Sequence, residues 1–162
     1  MDFLEKNLEQ IIVETPNEKL RERGLEIYGR KFSQVHLGNY GRLDVVTIER
    51  EYDEYFMEKE RIIPILKVTI FELKKKVIDG STFFQALEYA KGVSRYFELK
   101  GKFKYTTINF KIVLIGSEIN TNGGFCFLPE FFNTVELVTY SYDFDGIKFT
   151  NISDYIKTNE GF

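Results

Sequence analysis

The sequence predicts an α/β protein built on a central mixed β-sheet flanked by helices. Three observations carry this. Residues 65–73 (ILKVTIFEL) are an almost continuous apolar run, as expected of a strand covered on both faces. A long helical pattern follows it directly, over about 82–99. Residues 135–143 (VELVTYSYD) then alternate with the period of two that marks a strand. With 162 residues and 43% hydrophobic content, the chain is expected to form one domain with a real core.

The first segment, residues 2–14, carries Phe3, Leu4, Leu8, Ile11 and Ile12 at helical spacing, and Thr15-Pro16-Asn17 ends it. Glu5 and Glu9 lie one turn apart on this helix. Residues 18–23 (EKLRER) are charged and expected at the surface. A first strand is expected near 25–36, a turn at Gly38-Asn39-Tyr40-Gly41, and a second strand at 43–50. Residues 51–61 (EYDEYFMEKER) read as a charged excursion or short helix before the central strand.

After that strand, Asp79-Gly80-Ser81 breaks the pattern, and Ser81 or Thr82 is the expected N-cap of the long helix. Phe83, Leu87, Ala90, Ser94 and Phe97 form the expected core stripe, with Gln85 and Tyr89 beside it. Lys100-Gly101-Lys102 is expected to close the helix. Residues 105–115 are expected to form another strand, 116–124 a loop, and 128–132 a short irregular piece. The strand at 135–143 pairs with 147–150 through an Asp145-Gly146 turn.

Composition narrows the chemistry. The net charge is −3, so any nucleic-acid contact must come from a local basic patch. The one cysteine, Cys126, lies between two phenylalanines and reads as a small buried hydrophobe. The one histidine, His36, has nothing around it that suggests a triad. The start, MDFLEK, lacks the apolar core of a signal peptide, and no run is long enough to span a membrane. A soluble, cytoplasmic protein is the expectation.

The central strand ends in Glu72-Leu73-Lys74. Residues two apart share a face, so Glu72 and Lys74 project together. Asp44 enters a second apolar strand from Gly41-Arg42-Leu43. Two carboxylates can hold a divalent cation such as Mg²⁺, and an ammonium beside them can engage a phosphate. Asp44, Glu72 and Lys74 therefore read as one metal-dependent phosphodiesterase site. The competing reading is an ordinary ion pair between Glu72 and Lys74, with Asp44 ending a strand.

Three pieces in order, Gly41-Arg42-Leu43-Asp44-Val45-Val46, Phe71-Glu72-Leu73-Lys74 and Gln85-Ala86-Leu87-Glu88-Tyr89, resemble the signature of the PD-(D/E)XK nuclease superfamily, and within it the NucS-type endonuclease branch. The stretch from Glu136 to Phe149 also resembles that branch, so the likeness covers most of the chain. It implies a restriction-endonuclease-like fold over 1–162 and Mg²⁺-dependent cleavage of DNA, with Mn²⁺ as a substitute. By residue, it implies Asp44 and Glu72 as metal-binding acids, Lys74 as the catalytic lysine and Gln85 as its supporting glutamine. The helix acid would be Glu5, with Glu9 as rival. Arg42, Lys75, Lys76 and Tyr89 would contact substrate, and a homodimer would let two sites cut two strands. The alternative is a nuclease-fold module that binds nucleic acid or a protein without cleaving.

Overall fold

The computed structural model describes residues 5–52, 64–101 and 107–152. Its centre is strand β3 (Pro64–Leu73), flanked by β2 (Arg42–Tyr52) and β5 (Thr107–Gly116). Val68 and Ile70 of β3 are buried on one face, and Phe71 and Leu73 on the other. A strand packed on both faces, with Lys67 its exposed position, reads as an apolar run rather than an alternation.

The remaining strands are β1 (Arg30–His36), β7 (Val135–Asp143) and β8 (Gly146–Asn151). Together they form a six-stranded sheet in the order β1-β2-β3-β5-β7-β8. The three inner neighbours β3, β5 and β7 run parallel, and each flank is closed by antiparallel pairs. The sheet is therefore mixed, as expected from the sequence. Parallel neighbours require a crossover. Helix α3 (Gly80–Lys100) makes the one between β3 and β5. A 3₁₀ stretch and the short helix α4 (Leu128–Phe131) make the one between β5 and β7. A small parallel pair, β4 (Val77–Ile78) with β6 (Glu118–Ile119), extends past the main sheet.

Each face carries its own core. On one, Ala86, Tyr89, Val93 and Phe97 of α3 pack on Val46, Ile70, Ile112 and Leu137. On the other, helices α1 (Glu5–Glu14) and α2 (Asn17–Glu22) bury Leu8, Ile12 and Leu20 against Val45, Phe71, Val113 and Val138. Among the described residues no helix is long and apolar enough to cross a membrane.

Several local expectations are corrected. The buried stripe of α3 is Thr82, Ala86, Tyr89, Val93 and Phe97, one position round from the expected one, and Leu87 is exposed. The N-cap is Asp79, whose carboxylate accepts from Thr82 N at 3.1 Å, while Thr82 Oγ1 accepts from Asp79 N at 3.2 Å. This reciprocal pair satisfies donors that Ser81 or Thr82 as cap would leave open. The charged segment 18–23 is mostly helix and buries Leu20 completely. The first strand starts at Arg30, not near 25; Leu25 and Ile27 are buried by a non-strand segment that precedes it. Strand β2 continues to Tyr52, and the rest of the expected charged excursion lies outside the described residues.

Candidate functional site

The acids and the lysine meet at the C-terminal end of β3. The β2–β3 ladder runs from Tyr52↔Pro64 to Val45↔Phe71. One step further along the same register, Asp44 stands across from Glu72. There the ladder gives way to a side chain: Asp44 Oδ2 accepts a hydrogen bond from Leu73 N at 3.1 Å. Asp44 thus replaces a strand partner for β3 and is fixed by the backbone of the strand that carries Glu72.

Glu72 is only 2% exposed. Its Oε1 accepts from Lys74 Nζ at 2.9 Å, while its Oε2 is buried without a hydrogen-bond partner. Burial pushes the Glu72 pKa up to about 7, the Lys74 bond resists, and the charges of Asp44 and Glu5 push the same way as burial. Asp44 is also held above its usual range, first by burial, against the Leu73 bond, and then by Glu9 and Glu5. Burial works against the Lys74 charge, yet the bond from Glu72 and the fields of Glu5 and Asp44 outweigh it, so its pKa is raised. All three shifts describe one place: several carboxylates around a single ammonium, short of positive charge.

Helix α3 supplies the second layer. Lys74 Nζ also donates to Gln85 Oε1 at 3.2 Å, and Gln85 Nε2 donates to Tyr89 OH at 2.6 Å. Gln85 and Tyr89 lie one helical turn apart, so they face the strand end together. The Tyr89 ring itself is in the core, 6% exposed, and reaches the site only through its hydroxyl. Gly41 explains how strand β2 enters beside it. Its φ is +98°, and a Cβ there would sit 3.1 Å from Tyr89 Cε1. Only glycine takes that backbone easily and leaves room for the ring.

Both helix acids reach this neighbourhood, by different contacts. Glu5 Oε1 accepts from Lys75 N at 3.2 Å. Glu9 Oε2 accepts from Gln34 Nε2, and its charge bears on Asp44. Gln34 has φ +51°, the one positive value among the described non-glycine residues. It falls where the β1–β2 register skips from Ser33↔Val45 to Val35↔Leu43, directly opposite Asp44. Nothing in a polar residue of a half-apolar strand signals such a backbone, so Gln34 was not legible in the sequence.

The loop after β3 is pinned from three sides. Besides Glu5 on Lys75 N, Tyr140 OH donates to Lys75 O at 2.7 Å, and Glu118 N donates to Lys76 O at 3.0 Å. Lys75 is half-buried, and Lys76 and Arg42 are exposed. Tyr140 was also missed, since its partner lies 65 residues away. His36 is exposed and Cys126 is buried, 8% exposed.

Among the described residues, no group of three or more His, Cys, Asp or Glu side chains converges to hold a metal ion. The donor set nevertheless fits a hard cation of the Mg²⁺ kind, which takes one or two carboxylates and completes its shell with water and phosphate. The buried, unpartnered Glu72 Oε2 is the observation behind that fit: such an atom lacks a positive partner. Searches against protein-family models, curated proteins and solved structures found no significant match to this chain.

Proposed function

We propose that this chain is a cytoplasmic, metal-dependent endonuclease that hydrolyses phosphodiester bonds in DNA, with residues 1–162 forming one restriction-endonuclease-like domain. The observation that carries this reading is Glu72: a buried carboxylate with one oxygen on Lys74 and the other unpartnered, next to Asp44. The mixed sheet with a helix on each face, and the meeting of Asp44, Glu72, Lys74 and Gln85 from three elements, support it.

Asp44 and Glu72 would hold Mg²⁺, or Mn²⁺ in its place. The ion would neutralise phosphate charge and act as a Lewis acid. The protein's own part is orientation. An ammonium has three N–H donors. Lys74 spends two, on Glu72 and Gln85, and the third would serve the phosphate or the attacking water. Tyr89 fixes Gln85, and Gln85 thereby fixes Lys74. Asp44 cannot swing freely, because Leu73 N holds it. Glu5 and Glu9 add negative potential that favours a cation. Arg42, Lys75 and Lys76 would grip flanking phosphates and set the register of the strand. One such site cuts one strand, so a double-strand break would use a homodimer.

The competing reading is a nuclease-fold module that binds without cutting; it is favoured by Asp44 already being engaged with Leu73 N. A cleavage assay on linear, nicked and branched DNA with Mg²⁺ or Mn²⁺, with Asp44→Asn as the control, decides between them. Cleavage by the unaltered chain and none by the variant supports the nuclease. Binding of DNA without cleavage by either supports the module.

A further inference from the structure

Strands β1 and β2 change face at the same rung. Lys31 of β1 points to the α1 side of the sheet, where its Nζ donates to Ile12 O and Thr15 O. Val45 of β2 is buried on that side too. Strand residues an even number apart share a face, so regular strands would put Val35 and Leu43 there as well. Both instead pack in the core beneath α3. Ser33 still pairs with Val45, and Val35 with Leu43, so neither strand gains or loses a residue. The turn therefore falls on the rung between those pairs, which is Gln34 with Asp44.

The site depends on this turn. A regular β2 would send the Asp44 side chain to the face of Val46, into the apolar layer under α3. Instead Asp44 Oδ2 accepts from Leu73 N at 3.1 Å, just past the last β2–β3 pair, Val45↔Phe71.

Gln34 makes the turn under strain. Its φ of +51° lies in the left-handed region, which residues with a Cβ avoid and which glycine takes freely. What glycine would lack is the amide. Gln34 Nε2 donates to Glu9 Oε2 on α1, and both residues are half-buried. Glu9 lies near Asp44: after burial and the Leu73 bond, its charge is the next influence on that carboxylate, ahead of Glu5. Backbone strain of this kind persists where the surroundings over-determine it, and it gathers at functional sites.

We infer that Gln34 is a positioning residue of the candidate cation site, its backbone carrying β1 through the turn at Asp44 and its amide holding Glu9 near the Asp44 carboxylate. The inference rests on the reading of Asp44 and Glu72 as cation ligands and adds to it a residue that sets Asp44 and Glu9 in place beforehand. A hard cation of the Mg²⁺ kind keeps several waters. A carboxylate fixed outside its direct ligands accepts hydrogen bonds from them, and losing such a partner weakens metal binding by about 10- to 100-fold.

The test uses the full chain and reads Mn²⁺ affinity, folding stability and kinetics together. Gln34→Gly keeps the left-handed backbone without strain and removes the amide. Gln34→Asn tolerates the same backbone and carries a shorter amide. Glu9→Gln, alone and combined with Gln34→Gly, completes a double-mutant cycle. Gln34→Gly is expected to unfold in denaturant at a midpoint no lower than wild type. It should bind Mn²⁺ about tenfold more weakly and lose about tenfold in kcat, with little change in KM for DNA. Gln34→Asn should fall between the two, and Gln34→Gly should add little to Glu9→Gln. Wild-type Mn²⁺ affinity in Gln34→Gly would overturn the inference. So would weaker Mn²⁺ binding that comes with a lower midpoint, which marks a structural residue, or a full further loss on top of Glu9→Gln, which breaks the link through Glu9. Absence of Mn²⁺ binding by wild type would overturn the cation-site reading and this inference with it, whereas binding that wild type and Gln34→Gly share overturns the inference alone.

Discussion

Lys67 in strand β3 and Lys74 just past its end each pair with a carboxylate, and the two pairs differ. Lys67, near its start, pairs with Glu51 in the open; the side chains are 47% and 41% exposed. On β5, Lys111 pairs with Glu136 in a similar half-open setting at 2.7 Å. Lys74, just past the end of β3, pairs with Glu72, which is 2% exposed and has one oxygen without a partner. The residue types are the same and only the surroundings differ. Exposed pairs are worth about 0–1 kcal/mol and have water to complete their shells. A buried carboxylate with an orphan oxygen opposes folding, and its raised pKa is the sign of it. What distinguishes the candidate site is therefore an uncompensated acid, and the experiments below alter that contrast from its strongest point to its weakest.

The largest effect is expected on activity. Asp44→Asn and Glu72→Gln should each lower the cleavage rate by a factor of about 100 or more while leaving the circular dichroism spectrum unchanged. Lys74→Ala should lower it by a similar order. A Lys74 variant that keeps full kcat would mean that the ammonium only neutralises Glu72.

The next effect is on stability, and its sign depends on pH. Glu72 has a folded-state pKa of about 7 against an ordinary 4.5. The folded chain therefore binds more protons between those values. Its contribution to stability is full below about pH 4.5, falls as pH rises, and is gone above about pH 7. The span corresponds to about 3 kcal/mol. Glu72→Gln cannot ionise, so it should be more stable than wild type at pH 8, by up to that amount, and close to it at pH 4.5. Denaturant melts at both pH values, without divalent cation, check this. A variant that is less stable at pH 8 would show that Glu72 is satisfied in the folded chain.

A smaller effect follows for the layer behind the site. Gln85→Ala should cut kcat by roughly tenfold with little change in KM, because it frees Lys74 without removing a substrate contact. Steady-state kinetics with Gln85→Glu as a second variant separate this from simple loss of packing. The smallest effect belongs to the open pairs. Lys67→Ala should shift stability by less than about 1 kcal/mol and leave activity alone.

The same contrast explains what could be read in advance. Strand β3, helix α3 and the β7–β8 hairpin were legible because each has a long pattern of one period. The pairing of Glu72 with Lys74 followed from strand geometry alone. The rotation of α3 was misjudged because Phe83, Phe84 and Leu87 are all apolar, and the outward choice was made by Thr82 and Tyr89, whose polar groups found partners inside. The late start of β1 was hidden because Gly24 and Gly29, both with positive φ, bend a segment whose apolar residues look strand-like. The Glu5, Tyr140 and Gln34 contacts connect residues 25 to 70 positions apart, and no local pattern encodes them.

The most direct measurement is calorimetric titration of Mn²⁺ into wild type, Glu72→Gln and Asp44→Asn at pH 8, where Glu72 is mostly ionised. The expected result is one saturable site in wild type, lost or much weakened in both variants, with release of Mn²⁺ as pH falls below 7. Absence of binding in wild type, or equal binding in all three proteins, would contradict a cation site built on Asp44 and Glu72.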